Sequence, residues 1–234
     1  MCGSIGGVEL RGSVCLVTGG TSGIGLATVA ALRAAGAEVT ATGEEDADLS
    51  QPGAAARVAS EVCSVDVLVN CAGIGAYGDV ENVDAARMLA VNVLAPIELT
   101  QLLLPRMRER GRGHIVNVGS IVGHVGRANE AVYAATKAAL AIFTESLREE
   151  LRNTGVGVSL VTPVAVESDF FARRGVPYGR RRPKPLPPER IADAIVDAIR
   201  RDRAEVVVPR SATLAIRAYG VSPRAFRALA RLFD

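Results

Sequence analysis

Residues 18–25 read Thr18-Gly19-Gly20-Thr21-Ser22-Gly23-Ile24-Gly25, and this glycine-rich segment decides the fold prediction. It follows an apolar stretch, Ser13–Thr18, that is typical of a buried strand, and it opens Gly25–Ala35, which has the pattern of a helix. Glycines let the backbone turn sharply and approach a pyrophosphate, and a helix N-terminus attracts phosphate. The segment therefore predicts a dinucleotide site, although a tight turn without a ligand has the same pattern.

Strands and helices alternate along the rest of the chain. Strands are predicted at Ser13–Thr18, Glu38–Thr42, Val65–Asn70, His114–Gly119, Val156–Thr162 and Glu205–Val208, with a short extra strand at Asp48-Leu49. Helices are predicted at Gly25–Ala35, Gln51–Val62, Ala85–Arg110 (broken or bent by Pro96 and Pro105), Ala131–Arg152 and Pro188–Arg200. Because the strands are apolar throughout, we expect a parallel sheet with helices on both faces. The predicted fold is α/β, a Rossmann-type doubly wound parallel sheet in a single domain.

Composition narrows the class of protein. The chain has 234 residues, a net charge of +2 and 49% apolar residues, which excludes a mostly disordered chain. Aromatic residues are too few, and the charge too small, to predict a nucleic-acid partner. The sequence has no run of about 18 apolar residues, so no membrane span is predicted. The four cysteines lack the spacing of a metal site, so we expect no metal and reduced thiols in a cytoplasmic protein: Cys2, Cys15, Cys63 and Cys71.

An acidic residue beyond the second predicted strand bears on the choice of cofactor. Glu44 lies 19 residues after Gly25. A carboxylate there can accept hydrogen bonds from ribose hydroxyls and repel a 2′-phosphate. The glycine segment itself adds no basic group. This arrangement favours NAD over NADP, unless residues 44–46 form only a solvated loop.

Three polar residues in the second half of the chain point to proton transfer. Ser120 follows a predicted strand, and Tyr133 and Lys137 share one face of a predicted helix. A phenol has an ordinary pKa of about 10, which a nearby ammonium lowers. Ser120 can place a substrate oxygen near Tyr133. Two exposed helix residues give the same Tyr-x-x-x-Lys pattern, but the strand-end serine and the glycine segment favour a site.

From about Gly12 to Pro209, the chain resembles the short-chain dehydrogenase/reductase family. Thr18–Gly25 resembles the family's TGxxxGxG segment. Asn70-Cys71-Ala72-Gly73 resembles its NNAG segment, with Cys71 in place of the second Asn. Asn92 lies where the family places a proton-relay asparagine, and the serine, tyrosine and lysine match the catalytic Ser and YxxxK motif at the family's spacing.

The resemblance implies a role for each of these residues. Tyr133 exchanges a proton with the substrate oxygen, and Ser120 steadies the oxyanion. Lys137 binds the nicotinamide ribose and lowers the pKa of Tyr133, while Asn92 links Lys137 to solvent through its backbone carbonyl and a water. The predicted cofactor contacts are Gly19, Thr21, Ser22, Gly23, Ile24, Gly25, Glu44, Asp48, Leu49, Asn70, Cys71, Ala72, Gly73, Tyr133, Lys137, Pro163, Val166 and Ser168.

Two segments depart from the family's pattern. Residues 163–168 read PVAVES where the family usually has PGxVxT, so Val164 stiffens a turn beside the nicotinamide. Val166 can still offer backbone groups to the carboxamide. Only 23 residues separate Thr42 from Asp66, which leaves little room for the usual helix. We expect the shortened edge to open the adenosine side and weaken cofactor discrimination.

The sequence also suggests three segments: a loose leader at 1–11, the dinucleotide-binding domain at 12–209, and a helical tail of the same domain at 210–234. Residues 168–188 are expected to form a lid over the substrate. Its basic residues would recruit an anionic substrate or a carrier-bound acyl chain, or form only a solvated loop: Arg173, Arg174, Arg180, Arg181, Arg182 and Lys184. The basic, amphipathic tail would pack on a subunit, cover the substrate pocket or touch a membrane surface.

These observations predict an oxidoreductase that uses NAD or NADP to interconvert a secondary alcohol and a ketone, or to reduce a related small-molecule carbonyl. The alternatives are a non-redox enzyme (dehydratase, cyclase or epimerase), which Val164 favours, and a non-catalytic dinucleotide-binding protein. The family pairs its subunits through helices that correspond to Ala85–Arg110 and Ala131–Arg152, so a homodimer or homotetramer is expected.

Overall fold

The computed structural model describes residues 7–62, 64–176, 178 and 184–230. Within these residues, parallel strands form one six-stranded sheet in the order β2-β1-β3-β4-β5-β6. The strands are β1 (Val14–Thr18), β2 (Glu38–Thr42), β3 (Val67–Asn70), β4 (Gly113–Val118), β5 (Val156–Pro163) and β6 (Glu205–Val208). The helices are α1 (Gly23–Ala34), α2 (Ala54–Ser60), α3 (Ala85–Leu89), α4 (Ala95–Glu109), α5 (Ala131–Glu150), α6 (Phe170–Arg173), α7 (Pro188–Arg201), α8 (Ala212–Val221) and α9 (Pro223–Ala230).

Two apolar layers cover the sheet, one on each face. Successive side chains of a strand point to opposite faces. Val17 and Val69 therefore pack in the layer beneath α1 and α7, while Leu16 and Leu68 pack in the layer beneath α2 and α4. Because both faces are covered, the inner strands carry mostly apolar side chains. The prediction of a doubly wound α/β fold in a single domain is confirmed.

The strand order reverses between β1 and β3, and this reversal positions the site. The chain leaves β1 toward β2 on one side and returns to β3 on the other, so the connections diverge at the carboxyl ends of β1 and β3. Thr18 and Asn70, the last residues of these strands, are paired in register. Ligands of open α/β sheets bind in the crevice that forms at such a point.

The edge beyond β2 differs from the sequence prediction. No strand forms at Asp48-Leu49, so that prediction is wrong. The Asp48 Oδ1 atom instead accepts hydrogen bonds from the backbone N–H (2.9 Å) and Oγ (2.7 Å) of Ser50, which closes a side-chain turn. Helix α2 is present but shorter than the predicted Gln51–Val62, because Gly53 adopts a left-handed conformation (φ 75°) just before it.

The predicted helix Ala85–Arg110 forms as α3, a π-helical turn at Ala90–Leu94, and α4. Pro96 is the second residue of α4, and it continues the helix although it has no N–H to donate. Pro105 lies inside α4 without ending the helix. The expected break is therefore the π-helical turn, just before Pro96.

One helical stretch among the described residues, Ala85–Glu109, is long and apolar enough to cross a membrane by length and composition, and 44% of its most apolar window is buried. Leu99, Leu103 and Met107 of this stretch pack in the core. Because a core helix meets the same criteria, the stretch is weak evidence for a span.

The segment before β1 is packed against the domain. Val8 is 7% and Leu10 0% exposed, and the Val8 N–H donates to the carbonyl of Ile199 at the end of α7 (3.2 Å). The prediction of a loose leader is therefore wrong for Val8–Leu10, since these side chains complete the core. Residues 1–6 of the predicted leader lie outside the described residues.

A buried polar network joins β4, β5 and the end of α7. The Nε2 atom of His114 lies 2.8 Å from the Oγ of Ser159, which donates to the carbonyl of Arg203 (2.6 Å). Arg148 binds the carboxylate of Asp202 through two bonds of 2.8 and 3.0 Å. Burial lowers the pKa of His114 to about 4, because a charged imidazole loses its hydration there.

We expect His114 to make the fold less stable in mild acid. The pKa of His114 falls from 6.5 to about 4 on folding, so the unfolded chain binds the proton first. Stability that is present above pH 6.5 is lost as the pH falls through this window. Urea unfolding at about pH 7 and about pH 5 should show a loss about 2 kcal/mol larger in the wild type than in His114→Gln. The matched variant His124→Gln should behave like the wild type; equal losses in the wild type and His114→Gln would contradict this assignment.

Candidate active site

A cleft of about 1900 Å³ opens at the carboxyl ends of the strands. Most residues predicted for the site line this cleft. They are Gly19, Thr21, Ser22, Gly23, Ile24, Gly25, Glu44, Asp48, Leu49, Cys71, Ala72, Gly73, Ser120, Tyr133, Lys137, Pro163, Val166 and Ser168. The fold thus brings together a glycine-rich end and a serine–tyrosine–lysine end within one continuous space.

The glycine-rich end has no room for side chains. A Cβ on Gly19 would lie 2.8 Å from the Cα of Ala72, and a Cβ on Gly25 would overlap the carbonyl oxygen of Gly19. Gly23 begins α1 with φ 49°, and the Ser22 side chain makes no capping bond to the helix. The first turn of α1 therefore offers its N–H groups to a ligand, and this cradle fits a phosphate group.

The lid segment adds two polar side chains to this cradle. The Cβ of Ser168 lies 3.2 Å from where a Cβ on Gly23 would be. Arg173 on α6 donates a hydrogen bond from Nη2 to the Oγ of Ser22 (3.0 Å). The sequence analysis placed Arg173 in the lid but gave no sign of this contact. Three of the other predicted lid arginines, at 180–182, lie outside the described residues.

The adenosine end, where Glu44 follows β2, holds a charge pair. The Oε1 of Glu44 accepts from the Nη2 of Arg87 on α3 at 2.7 Å, with the side chains 60% and 45% exposed. Hydrogen bonds from Ser50 lower the pKa of Asp48, and Arg87 contributes to that lowering. No motif in the sequence marks Arg87 as part of the site. A cation therefore lies directly beside the carboxylate that was expected to repel a 2′-phosphate.

Ser120, Tyr133 and Lys137 form the opposite end of the cleft and are buried at 8%, 9% and 5% exposure. The backbone N–H of Val122 donates to the Oγ of Ser120 (3.4 Å), which leaves the serine hydroxyl proton for another acceptor. The Nζ of Lys137 donates to the carbonyl of Val118 (2.9 Å) and lies 6.0 Å from the centroid of the Tyr133 ring.

Burial controls the protonation of this end of the cleft. It raises the pKa of Tyr133 to about 12, against a smaller lowering by a hydrogen bond with Ser120. It lowers the pKa of Lys137 to about 8. The lowering of the Tyr133 pKa by Lys137, expected from the resemblance, is not found, because the ammonium is bonded to a backbone carbonyl some distance from the ring. Tyr133 is therefore protonated at neutral pH and can donate a proton.

Two predicted residues do not line the cleft. Asn70 donates from Nδ2 to the Oδ1 of Asn117 (2.8 Å), and its buried Oδ1 has no partner among the described residues. The Asn70 side chain is turned toward β4, and its role as a cofactor contact stays a prediction. Asn92 accepts from the N–H of Ile74 (2.9 Å) and donates to the carbonyl of Ile74 (2.8 Å) and to Thr136 (3.0 Å). Its side chain fastens the segment after β3, and its relay role stays a prediction.

Val164, the departure from the family pattern, continues the sheet. Its N–H donates to the last carbonyl of β6 (3.0 Å). Leu186 then bridges the carbonyl of Ala165 (2.9 Å) and the N–H of Glu167 (2.8 Å). The backbone groups of Val166 take no part in these bonds, and Val166 lines the cleft. The contact of Val166 with a carboxamide stays a prediction.

Arg174 is enclosed on the substrate side rather than free to recruit an anion. It binds Glu130 at 2.7 Å, and both side chains are at most 5% exposed. Its guanidinium lies 4.7 Å from the ring centroid of Phe171 and 5.2 Å from that of Tyr77. The prediction that the lid arginines recruit an anionic substrate is wrong for Arg174, because its charge is already neutralised.

Comparisons with known proteins agree with this geometry. Residues 50–176 match the family model of the short chain dehydrogenases. The ketoacyl reductase HetN of Nostoc sp. is 37% identical over 190 residues, which cover 77% of this chain and 64% of that protein. The NADP-dependent 3-hydroxy acid dehydrogenase of Schizosaccharomyces pombe is 33% identical over 238 residues, covering 86% of this chain and 91% of that protein.

A solved structure gives the same result. The short chain dehydrogenase from Burkholderia cenocepacia J2315, in complex with NADP, superposes with a TM-score of 0.82 at 26% identity and covers 94% of this chain and 98% of that one. The doubly wound sheet, the glycine cradle and the buried serine–tyrosine–lysine set define an α/β oxidoreductase. The chain belongs to the short-chain dehydrogenase family, as the motifs predict.

We expect Gly25→Ala to lose NADH binding, because the new methyl group would overlap the Gly19 carbonyl and open the phosphate cradle. Titration of the purified variant with NADH should show an affinity at least about tenfold lower, or about 1.4 kcal/mol. The matched control is Gly220→Ala, where a Cβ meets nothing within 4 Å. Unchanged NADH affinity in a folded Gly25→Ala variant would show that the cradle does not bind the cofactor.

Proposed function

We propose that this protein is an NAD(P)-dependent oxidoreductase that interconverts a secondary alcohol and a ketone, or reduces a related carbonyl, in a small molecule. The observation that carries the proposal is the buried, protonated Tyr133 beside Ser120, in a cleft whose other end is a phosphate cradle. A nicotinamide cofactor supplies or accepts the hydride when it is bound. The protein supplies orientation and the proton.

The residues around the reacting oxygen have distinct tasks in this proposal. Ser120 donates a hydrogen bond to the substrate oxygen and orients the carbonyl toward Tyr133. Tyr133 gives its proton to that oxygen during reduction and takes one from the alcohol during oxidation. Lys137, whose pKa is about 8, is mostly charged at neutral pH and holds the nicotinamide ribose. Cys71 takes no part, since burial raises the pKa of its thiol to about 12.

The remaining groups fit a dinucleotide along the cleft. The first turn of α1, with Ser168 and Arg173, would hold the pyrophosphate. The backbone of Val166 would bind the carboxamide. Glu44 would accept hydrogen bonds from the adenosine ribose, which supports NAD, while Arg87 offers a cation for a 2′-phosphate. We therefore propose that both cofactors bind and that Glu44 sets a preference for NAD.

The substrate end of the cleft suits an apolar molecule. Its walls carry aromatic and aliphatic side chains: Ile121, Val125, Phe170, Phe171, Tyr178, Ala212, Ala215 and Phe226. The two curated relatives are named for chemistry on a ketoacyl group and on a 3-hydroxy acid. By analogy, we propose an oxo or hydroxy derivative of an acid with an apolar chain as the substrate class.

The proposal also includes the surfaces through which copies of the chain pair and the cellular compartment of the protein. Aliphatic side chains on the long helical stretches are about half exposed or more: Leu89 (47%), Leu94 (51%), Leu102 (47%) and Ile142 (63%). These faces would pair two or four copies of the chain. Among the described residues, Cys15 and Cys71 are free thiols, which supports a reducing compartment such as the cytoplasm.

Tyr133→Phe tests the proposed reaction. The loss of the phenol proton should lower turnover of NADH with a panel of ketones by about a hundredfold or more, the usual contribution of a general acid. Binding of NADH should stay unchanged, and the loss of NADH absorbance gives the rate. Tyr77→Phe, which removes another hydroxyl from the cleft wall, should keep most of the turnover. Tight NADH binding by the wild type with no turnover of any substrate would favour a binding protein instead, and conversion of a substrate without oxidation of NADH would favour a non-redox enzyme.

Glu44→Gln tests the cofactor preference. Without the carboxylate, a 2′-phosphate is no longer repelled and Arg87 is released to bind it, so kcat/KM with NADPH relative to NADH should rise about tenfold. Glu45→Gln is the matched control, because it removes a neighbouring exposed carboxylate of the same loop. If the ratio shifts equally in both variants, only the net charge of the loop matters and Glu44 has no specific role.

A further inference from the structure

The C-terminal tail carries charge of one sign. The sequence between Glu205 and Asp234 contains no acidic residue and five arginines. Four of them recur every seven residues, at Arg210, Arg217, Arg224 and Arg231. Since the whole chain has a net charge of only +2, positive charge is concentrated in this segment.

Helix α8 turns an apolar face to solvent. Leu214, Arg217, Ala218 and Val221 lie at positions i, i+3, i+4 and i+7, which share one side of a helix. Leu214 is 69% and Val221 87% exposed, and Arg217 and Ala218 are also exposed. A helix of a globular domain normally buries a face with this spacing. The outward face of α8 is therefore a surface suited to a partner.

The opposite face of α8 lines the cleft. Ala212 and Ala215 line the mouth of the cleft together with Phe226 of α9. The rings of Tyr219 and Phe226 meet edge to face with their centroids 5.6 Å apart. This ring contact joins α8 to α9, and the exposure of Leu214 and Val221 belongs to the opposite, outer side of α8.

The arginines of the tail distinguish two partners that would cover this face, a second copy of the chain and a lipid surface. A symmetric contact between two copies would bring Arg217 and its neighbours against the same set of cations. An anionic lipid surface matches both features, because aliphatic side chains enter the interfacial region while arginines bind lipid phosphates. We propose that the outward face of α8, flanked by Arg210 and Arg224, docks on an anionic lipid bilayer.

Docking in this way orients the cleft. Because Ala212, Ala215 and Phe226 line the cleft from the other side of the same helices, the apolar mouth lies close to the lipid. An apolar substrate concentrated in the membrane then enters over a short distance. This consequence rests on the proposed oxidoreductase function, whereas the docking itself does not.

Vesicle sedimentation of the full chain tests the docking without measuring turnover. We expect the protein to sediment with vesicles of phosphatidylcholine and phosphatidylglycerol, to stay in solution with phosphatidylcholine alone, and to be released by added salt. Arg217→Gln should weaken the partitioning about fivefold, and Leu214→Ser should weaken it further. The matched controls are Arg108→Gln and Val80→Ser, which make the same changes at exposed positions outside the tail.

Circular dichroism and NADH binding show whether each variant is folded, and Val221→Ser replaces Leu214→Ser if the latter is not. Equal sedimentation with both kinds of vesicle, or no effect of Leu214→Ser and Arg217→Gln, overturns the proposal. Sedimentation velocity distinguishes lipid docking from a contact between two copies of the chain. If the wild type forms an oligomer that Leu214→Ser dissociates, the face joins two copies of the chain and the lipid proposal is wrong.

Discussion

Close backbone packing at the carboxyl ends of β1 and β3 is the constraint on which the site depends. Gly19, Gly25 and Ala72 approach one another so closely that no side chain fits between them. The Oγ1 of Thr18 reinforces this packing by accepting hydrogen bonds from the N–H groups of Cys71 (3.2 Å) and Ala72 (3.1 Å). These bonds join the two strands where the sheet order reverses. The phosphate cradle is therefore formed by the same contacts that hold the sheet together, and little ordering is left for ligand binding to provide.

The features that could be predicted from the sequence are those that depend on residues close together in the chain. The sheet and the cradle follow from short apolar runs and from glycines whose effect is local, whereas the two-residue strand at 48–49 fails because a side-chain turn takes its place. Contacts between distant segments leave no such pattern. Arg87 and Glu44 are 43 residues apart, and Arg173 and Ser22 are 151 residues apart. Both pairs alter the charge at the cofactor end of the cleft, and only the folded chain brings them together.

Protonation is the second feature that spacing alone does not determine. Tyr133 and Lys137 share a helix face, but that spacing leaves open where the ammonium points. It bonds to the carbonyl of Val118, and burial raises the pKa of the phenol while it lowers that of the amine. A protonated phenol beside a mostly charged amine suits delivery of a proton to a carbonyl oxygen.

A buried ion pair beside Tyr133 also bears on the protonation of the phenol. Arg174 and Glu130 form this pair at 2.7 Å, and both side chains are at most 5% exposed. Glu130 raises the pKa of Tyr133, and Arg174 lowers it. Arg127 also lies 3.5 Å from the Glu130 carboxylate, so this carboxylate stands between two cations. The phenol is thus held between opposing charges from distant parts of the chain, and its protonation depends on contacts that the Tyr-x-x-x-Lys spacing does not reveal.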